Sequence, residues 1–177
     1  MLLNRGNHEL AEMNAHYGFK GELRDDGLFR AFNSLFDLLP VGHVIGEKIF
    51  CVHGGIPKDP VLLSGDVERV RDELLWNDPS EKSGISSSPR GYGIYRFGPD
   101  ITQRFLDINN LDLVVRSHEM VHEGYRISQD GKCVTVFSAS NYAGYYNNKG
   151  AYLHIAPDLT WTGHSFNSDQ PHHVSKL

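Results

Sequence analysis

The 177-residue sequence predicts a single mixed α/β domain. Three observations carry that prediction. Apolar runs of strand length recur along the chain, separated by segments whose apolar residues fall three and four apart, the alternation expected when a sheet packs against helices. Three of those runs end in the same way, with a histidine beside small or polar residues. The composition, 40% hydrophobic and 22% charged, is that of an ordinary globular protein, and a chain of this length buries about 70% of its unfolded surface.

The elements follow in chain order. Leu2 and Leu3 look like the end of a buried strand, and Gly6 permits a sharp turn after it. Leu10, Met13 and Tyr17 then fit one face of a short helix. Gly18, Gly21, Asp25, Asp26 and Gly27 read as a polar connection. Leu28, Phe29, Phe32, Leu35 and Phe36 recur at helical spacing, which predicts a core-facing amphipathic helix stopped before Pro40. Residues 41–45 and 48–52 form a hairpin across Gly46 and Glu47. Residues 66–75 have the period of a short helix, closed by the turn residues Trp76, Asn77, Asp78 and Pro79. A long Ser- and Gly-rich loop, 80–93, carries Arg90; such loops inside a domain are often functional. Pro99, favourable at a first helical position, opens a helix reaching about Asn109. A strand over 111–115 leads to His118. Residues 125–128 and 132–137 pair across Asp130 and Gly131, a strong hairpin signal. A second polar loop, 138–148, bears aromatic residues, and 150–155 and 159–166 are two further strands. The domain spans residues 1–166 and a tail 167–177, where His172 and His173 lack the rigid support a ligand needs.

The three like-ended runs point to chemistry. The opening run delivers Asn7 and His8, the run Ile49, Phe50, Cys51 and Val52 delivers His53, and the run through Val114 and Val115 delivers His118. Strand ends of one sheet would bring them together, where open α/β sheets bind ligands. Two imidazoles and an amide oxygen suit a borderline divalent ion such as zinc, iron or manganese. Taken alone, Asn7 also fits a helix cap with His8 on the first turn, and Arg90 also fits a solvated loop charge.

Other classes are excluded on the same residues. A formal charge of −5 without a basic run argues against nucleic-acid binding, and no apolar stretch is long enough to cross a bilayer. Cys51 and Cys133 lie in strand-like runs and read as buried thiols in a cytoplasmic or nuclear protein. His118, Glu119 and His122 match the spacing of a zinc peptidase, but Gly124 and the flanking strands deny the helix that chemistry requires. Asp107, Asn109 and Leu111 begin like a calcium loop, but Asp112 stands where glycine is needed.

Seven motifs in one order are specific: 3–9 (LNRGNHE), 53–55 (HGG), 74–79 (LLWNDP), Arg90 with Gly91, 97–100 (FGPD), 116–119 (RSHE) with 123–125 (EGY), and 136–142 (VFSASNY). By these the chain resembles the phosphoprotein phosphatase family, the metal-dependent serine/threonine protein phosphatases. The likeness is to the phosphatase 5 branch and to the EF-hand-bearing branch, with Asn4 and Ser140 leaning toward the latter. The resemblance implies a metallophosphoesterase-type, calcineurin-like β-sandwich flanked by helices. It further implies hydrolysis of phosphoserine and phosphothreonine in proteins by a dinuclear pair of manganese, iron or zinc ions. It assigns Asn7, His53 and His118 as ligands of one metal, His8 as the general acid, and Arg5, Asn7, Arg90 and Tyr142 as contacts to the substrate phosphate or their anchors.

The family's first two motifs, Gly-Asp-X-His-Gly and Gly-Asp-X-X-Asp-Arg-Gly, are absent from the sequence. The resemblance places in them the other metal ligands, the bridging carboxylate, the carboxylate that orients the acid histidine, and a second phosphate-binding arginine. The sequence therefore reads as an amino-terminally incomplete catalytic domain with half of the dinuclear site, at most one weakly held metal, and impaired activity. A phosphoprotein substrate is its expected partner, with a regulatory subunit or the missing amino-terminal segment as others, and neither nucleic acid nor membrane. The alternative is a non-catalytic fragment that binds phosphoprotein or another phosphatase subunit.

Overall fold

Residues 1–167 are described here, in a computed structural model. The tail that holds His172 and His173 lies outside the described residues.

The opening segment is not a strand. Leu2 and Leu3 are 71% and 53% exposed: no neighbouring strand offers them a ladder, and the segment is tied by the Arg5 N–H to the Pro40 carbonyl at 2.8 Å and by Asn4 Nδ2 to the Cys51 carbonyl at 3.1 Å. A 3₁₀ turn, Asn7–Glu9, follows, with Glu9 Oε2 accepting from the Gly6 N–H at 2.8 Å. Helices α1 (Ala11–His16) and α2 (Phe19–Leu23) come next, so the expected polar connection is partly helical. Helix α3 (Asp26–Phe36) starts where Asp25 accepts from the Leu28 N–H at 2.7 Å, an N-cap. It has the expected apolar stripe but not the expected partner. Phe32 and Phe36 pack on Phe19 at ring separations of 5.3 and 6.0 Å, no α3 residue is fully buried, and Leu28 and Leu35 are exposed. Periodicity identifies an apolar face but not what covers it.

The hairpin β1 (Gly42–Ile45) and β2 (Ile49–Val52) forms as the sequence indicates. Helix α4 (Arg71–Trp76) leads into β3 (Asp78–Pro79), which pairs in a small three-stranded sheet with β4 (Ile85–Ser87) and β5 (Tyr95–Phe97). The stretch expected as a structureless loop thus carries a strand of its own. Helix α5 (Pro99–Asn109) begins on its proline and ends at Asn110 in a left-handed cap with φ 54°. Strands β6 (Leu113–Arg116), β7 (Tyr125–Ser128) and β8 (Cys133–Val136) follow, and β9 (Gly150–Ile155) pairs antiparallel with β10 (Trp161–Phe166).

The main sheet has the order β1-β2-β6-β8-β7. Its three central strands, β2, β6 and β8, run parallel. Both their faces are covered, which is why they read as nearly unbroken apolar runs rather than alternating ones. On one face Phe50, Val52, Val114 and Cys133 pack with Leu74, Phe105 and Leu106 from α4 and α5. On the other, Ile49, Leu113, Val115 and Val134 meet Leu153, Ile155 and Trp161 from the β9–β10 pair. The result is two sheets face to face with helices on the outer side of the larger one. Cys51 and Cys133 are free thiols whose burial raises both pKa values to about 11.

Candidate metal and phosphate site

Parallel strands place their carboxyl ends on one edge of the sheet, and all but one of the side chains singled out in the sequence gather there. Strand β2 ends at Val52, one residue before His53, and β6 ends at Arg116, two before His118. The turn after β2 runs against α4: the N–H groups of Gly54 and Gly55 both donate to the Leu74 carbonyl, at 2.9 and 3.1 Å. A Cβ on Gly54 would lie 2.4 Å from the Leu75 carbonyl carbon, so only glycine lets the loop approach so closely. After β6, His118 has φ 62°, a left-handed conformation uncommon for a side-chain-bearing residue and typical of strain held at functional sites. That backbone is incompatible with a helix through His118 and His122, which disposes of the peptidase spacing.

His53 Nε2 lies 2.8 Å from Asn7 Oδ1 and 3.1 Å from His118 Nδ1. Asn7 is buried at 2% exposure, and the Nε2 of His118 is buried without a partner among the described residues. Burial lowers the pKa of His53 to about 4 and that of His118 to about 3, helped at His53 by the positive charges of Arg116, His8 and Arg90 and at His118 by Arg90 and His53. Both imidazoles are therefore neutral near pH 7, the state that donates a lone pair to a cation. The donor set fits a divalent ion. Separations of 2.8 and 3.1 Å match the edge of a six-coordinate shell with bonds of about 2.1 Å. It brings no negative charge, and among the described residues no group of three or more histidine, cysteine or carboxylate side chains could hold a metal.

These three residues line a cleft of about 530 Å³ together with His8, Tyr17, Trp76, Arg90, Phe137 and Tyr142. His8 is exposed, its ring 4.8 Å from that of Tyr17. Arg90 is fixed by Asp78, whose Oδ2 accepts from Nε at 2.6 Å and whose Oδ1 accepts from Nη2 at 3.4 Å. Tyr142 meets Phe137 edge-on at 5.2 Å. Arg5 is not brought to the cleft. Its Nη2 donates to Asp37 Oδ1 at 2.7 Å and to the Glu9 carbonyl at 3.1 Å, and it lines a separate depression. Its guanidinium braces the 3₁₀ turn that carries Asn7 and His8, which fits an anchor of the loop rather than a hand on phosphate.

The network beneath the cleft went unassigned in the sequence. Arg116 is fully buried and reaches in four directions: to the Gly54 carbonyl, to Asp78 Oδ1 at 2.6 Å, to Glu119 Oε2 at 2.9 Å and to the Asn77 carbonyl at 3.4 Å. One guanidinium thus joins the loop after His53, the loop holding His118 and the carboxylate that aims Arg90. Burial alone would raise the Asp78 pKa, but the hydrogen bond from Arg90 and the charges of Arg116 and Arg90 outweigh it, and the net shift is downward. An arginine closing an otherwise apolar strand was the available signal, since such a residue must find its partners inside.

The comparisons with known proteins agree with this geometry. Residues 1–122 match the family model described as calcineurin-like phosphoesterase. Serine/threonine-protein phosphatase T of Trypanosoma brucei brucei is 45% identical over 86% of this chain and 35% of the relative. Serine/threonine-protein phosphatase 5 of Solanum lycopersicum is 49% identical over 89% of this chain and 31% of the relative. Among solved structures, a protein serine/threonine phosphatase from Saccharomyces cerevisiae with similarity to human phosphatase PP5 superposes with a TM-score of 0.90 at 36% identity, over 96% of this chain and 61% of that one. The chain spans about a third of the length of the curated relatives it matches.

Proposed function

We propose, from the premise that this chain belongs to the calcineurin-like phosphoesterase family, that it carries half of a metal-dependent site for hydrolysing phosphoserine and phosphothreonine in proteins. The observation that carries the reading is the position of His53 Nε2, 2.8 Å from Asn7 Oδ1 and 3.1 Å from His118 Nδ1, in the cleft that Arg90 also lines. Asn7, His53 and His118 would hold a manganese, iron or zinc ion. When bound, the ion supplies Lewis-acid neutralisation of phosphate charge and activation of water.

The remaining work belongs to the chain's own side chains. Arg90 spends Nε and Nη2 on Asp78, which leaves Nη1 to donate to a phosphate oxygen. The planar fork held on its far side by a carboxylate is a preorganised anion clamp. His8, exposed and lining the cleft, would give a proton to the departing serine or threonine oxygen. Tyr142 lines the same cleft. Neutral donors surrounded by the guanidinium groups of Arg90 and Arg116 hold a cation weakly, so we infer at most one ion per chain and impaired turnover. The same feature favours a second reading, phosphoprotein binding without turnover.

One experiment separates them. Manganese binding is followed by electron paramagnetic resonance, and hydrolysis of 4-nitrophenyl phosphate is measured with and without manganese, for the wild type and His53→Ala. Binding of one ion that His53→Ala weakens at least tenfold supports the site, and manganese-dependent turnover lost in the same variant supports the enzyme. Binding without turnover supports the second reading. Manganese binding unaffected by His53→Ala refutes the metal site and the enzyme reading with it.

A further inference from the structure

The hydrogen positions of the histidine pair follow from its neighbours. Asn7 Oδ1, 2.8 Å from His53 Nε2, can only accept, so that nitrogen carries the proton of the neutral His53 ring. His118 Nδ1 lies 3.1 Å from the same nitrogen. Two N–H groups cannot face each other at that separation, so Nδ1 of His118 is bare and accepts. A neutral imidazole holds one N–H. That of His118 is therefore on Nε2, the atom buried without a nitrogen or oxygen partner among the described residues.

A buried donor left without an acceptor is costly and rare, and one ring beside His118 can receive it. Trp76 stands at 89° to the His118 ring with the centroids 5.6 Å apart, an arrangement in which the edge of one ring rests on the face of the other. The face of an aromatic ring is its negative side and accepts an N–H. His53 also meets His118, at 65° and 5.0 Å, but that contact runs through Nδ1 of His118. The edge with a proton still to place is the Nε2 edge, and the face available to it is the indole.

Trp76 is held from the backbone. It is the last residue of α4, the helix whose Leu74 carbonyl takes the N–H groups of Gly54 and Gly55. A Cβ on Gly54 would come within 2.5 Å of the Trp76 nitrogen. The element that carries the indole is thus the one to which the His53 loop is bound, and Trp76 lines the cleft with both histidines.

We propose that Trp76 is a positioning residue: its indole face receives the Nε2–H of His118 and so keeps the Nδ1 lone pair of that ring directed at the ion's position before any ion arrives. The proposal rests on the reading of the cleft as a metal site. It divides the labour of the two histidines. His118 is preset, whereas His53 carries its proton on the nitrogen that faces Asn7 and His118 and must pass it through solvent to Nδ1, with no net proton released, before it can donate to an ion.

The test is nitrogen-15 NMR of the whole chain with labelled histidine, first in chelator and then with zinc, which is diamagnetic, joined to zinc affinity by competition with a chromogenic chelator. His118→Gln assigns the signals. In the metal-free wild type His118 should show a protonated Nε2 and a bare Nδ1, and its Nε2 proton should be moved upfield by the ring current of the indole. Trp76→Phe keeps an aromatic face and should keep both signatures and the wild-type affinity. Trp76→Leu removes the face: the upfield shift should go, the two tautomers should mix, and zinc should bind about tenfold more weakly. A wild-type His118 protonated on Nδ1 overturns the role of Trp76 without recourse to any variant. So does a leucine variant that keeps the shift and the tautomer, or a phenylalanine variant that behaves like the leucine one, and in each case the cleft reading stands. Zinc that leaves the ring nitrogens of His53 and His118 unmoved overturns the cleft reading and the purpose of Trp76 with it.

Discussion

Replacing Arg116 by methionine removes the buried hub while keeping an unbranched chain as long as the arginine stem. In the wild type its guanidinium is fully buried, with Asp78 Oδ1 at 2.6 Å and Glu119 Oε2 at 2.9 Å and two carbonyl partners, Gly54 and Asn77. Methionine refills the volume of the stem but leaves both carbonyls without that donor and leaves Asp78 with Arg90 alone. Breaking a buried pair from one side costs about 3–5 kcal/mol. Glu119 is partly exposed and can turn to water, and Arg90 keeps part of the Asp78 charge compensated, so the lower end, about 3 kcal/mol, is expected. Against a total stability of about 5–15 kcal/mol that is a large share. Urea unfolding should show it: with a slope of about 2 kcal/mol/M, the midpoint falls by about 1.5 M. The pH dependence is a second check. The Asp78 pKa is depressed in the fold, so its stabilisation is present above the ordinary carboxylate range and is lost as pH falls through the depressed value. Methionine removes one of the charges that depress it, so the deficit of the variant should narrow on acidification below about pH 4. A midpoint within about 0.3 M of the wild type at pH 7, or a deficit that widens in acid, would refute the hub.

Three further outcomes are expected. His53 and His118, with pKa values lowered to about 4 and about 3, stay neutral in the fold while they charge in the unfolded chain below about pH 6.5, so stability without metal should fall from pH 7 to pH 5. Urea unfolding in a chelator checks this, and a flat profile together with imidazole NMR shifts that titrate near pH 6.5 would contradict it. Asn148→Ala should free the Tyr142 N–H, which donates to Asn148 Oδ1 at 2.8 Å, raising its hydrogen-exchange rate at least about tenfold and costing about 1–3 kcal/mol; unchanged exchange at Tyr142 would show that other contacts hold the loop. Asp78→Asn should leave Arg90 without its carboxylate and weaken binding of inorganic phosphate, followed by ³¹P NMR, by about tenfold; equal affinity would mean that Arg90 does not need Asp78 to meet the anion.

What the sequence determined by itself was the local structure and the positions of the candidate ligands. The hairpin of β1 and β2, the start of α5 at Pro99 and the Asp130-Gly131 turn between β7 and β8 are set by neighbours in the chain, which is why period and turn chemistry reveal them. The apolar runs before His53 and His118 likewise marked two strands, whose ends would meet if they shared one sheet, as β2 and β6 do. Only the tertiary structure decided which groups meet across that edge. Asp78 and Arg116 are 38 residues apart and Asp78 and Arg90 are 12 apart; they meet because the turn after β2, beside the end of β6, is bound to α4, which leads into β3 and Asp78. The same holds for Arg5, turned to Asp37 32 residues away, and for α3, whose apolar stripe met Phe19 rather than the sheet. A charge or an apolar face in a sequence states a need, and the partner that meets it is fixed by sheet register and packing, which no local pattern contains.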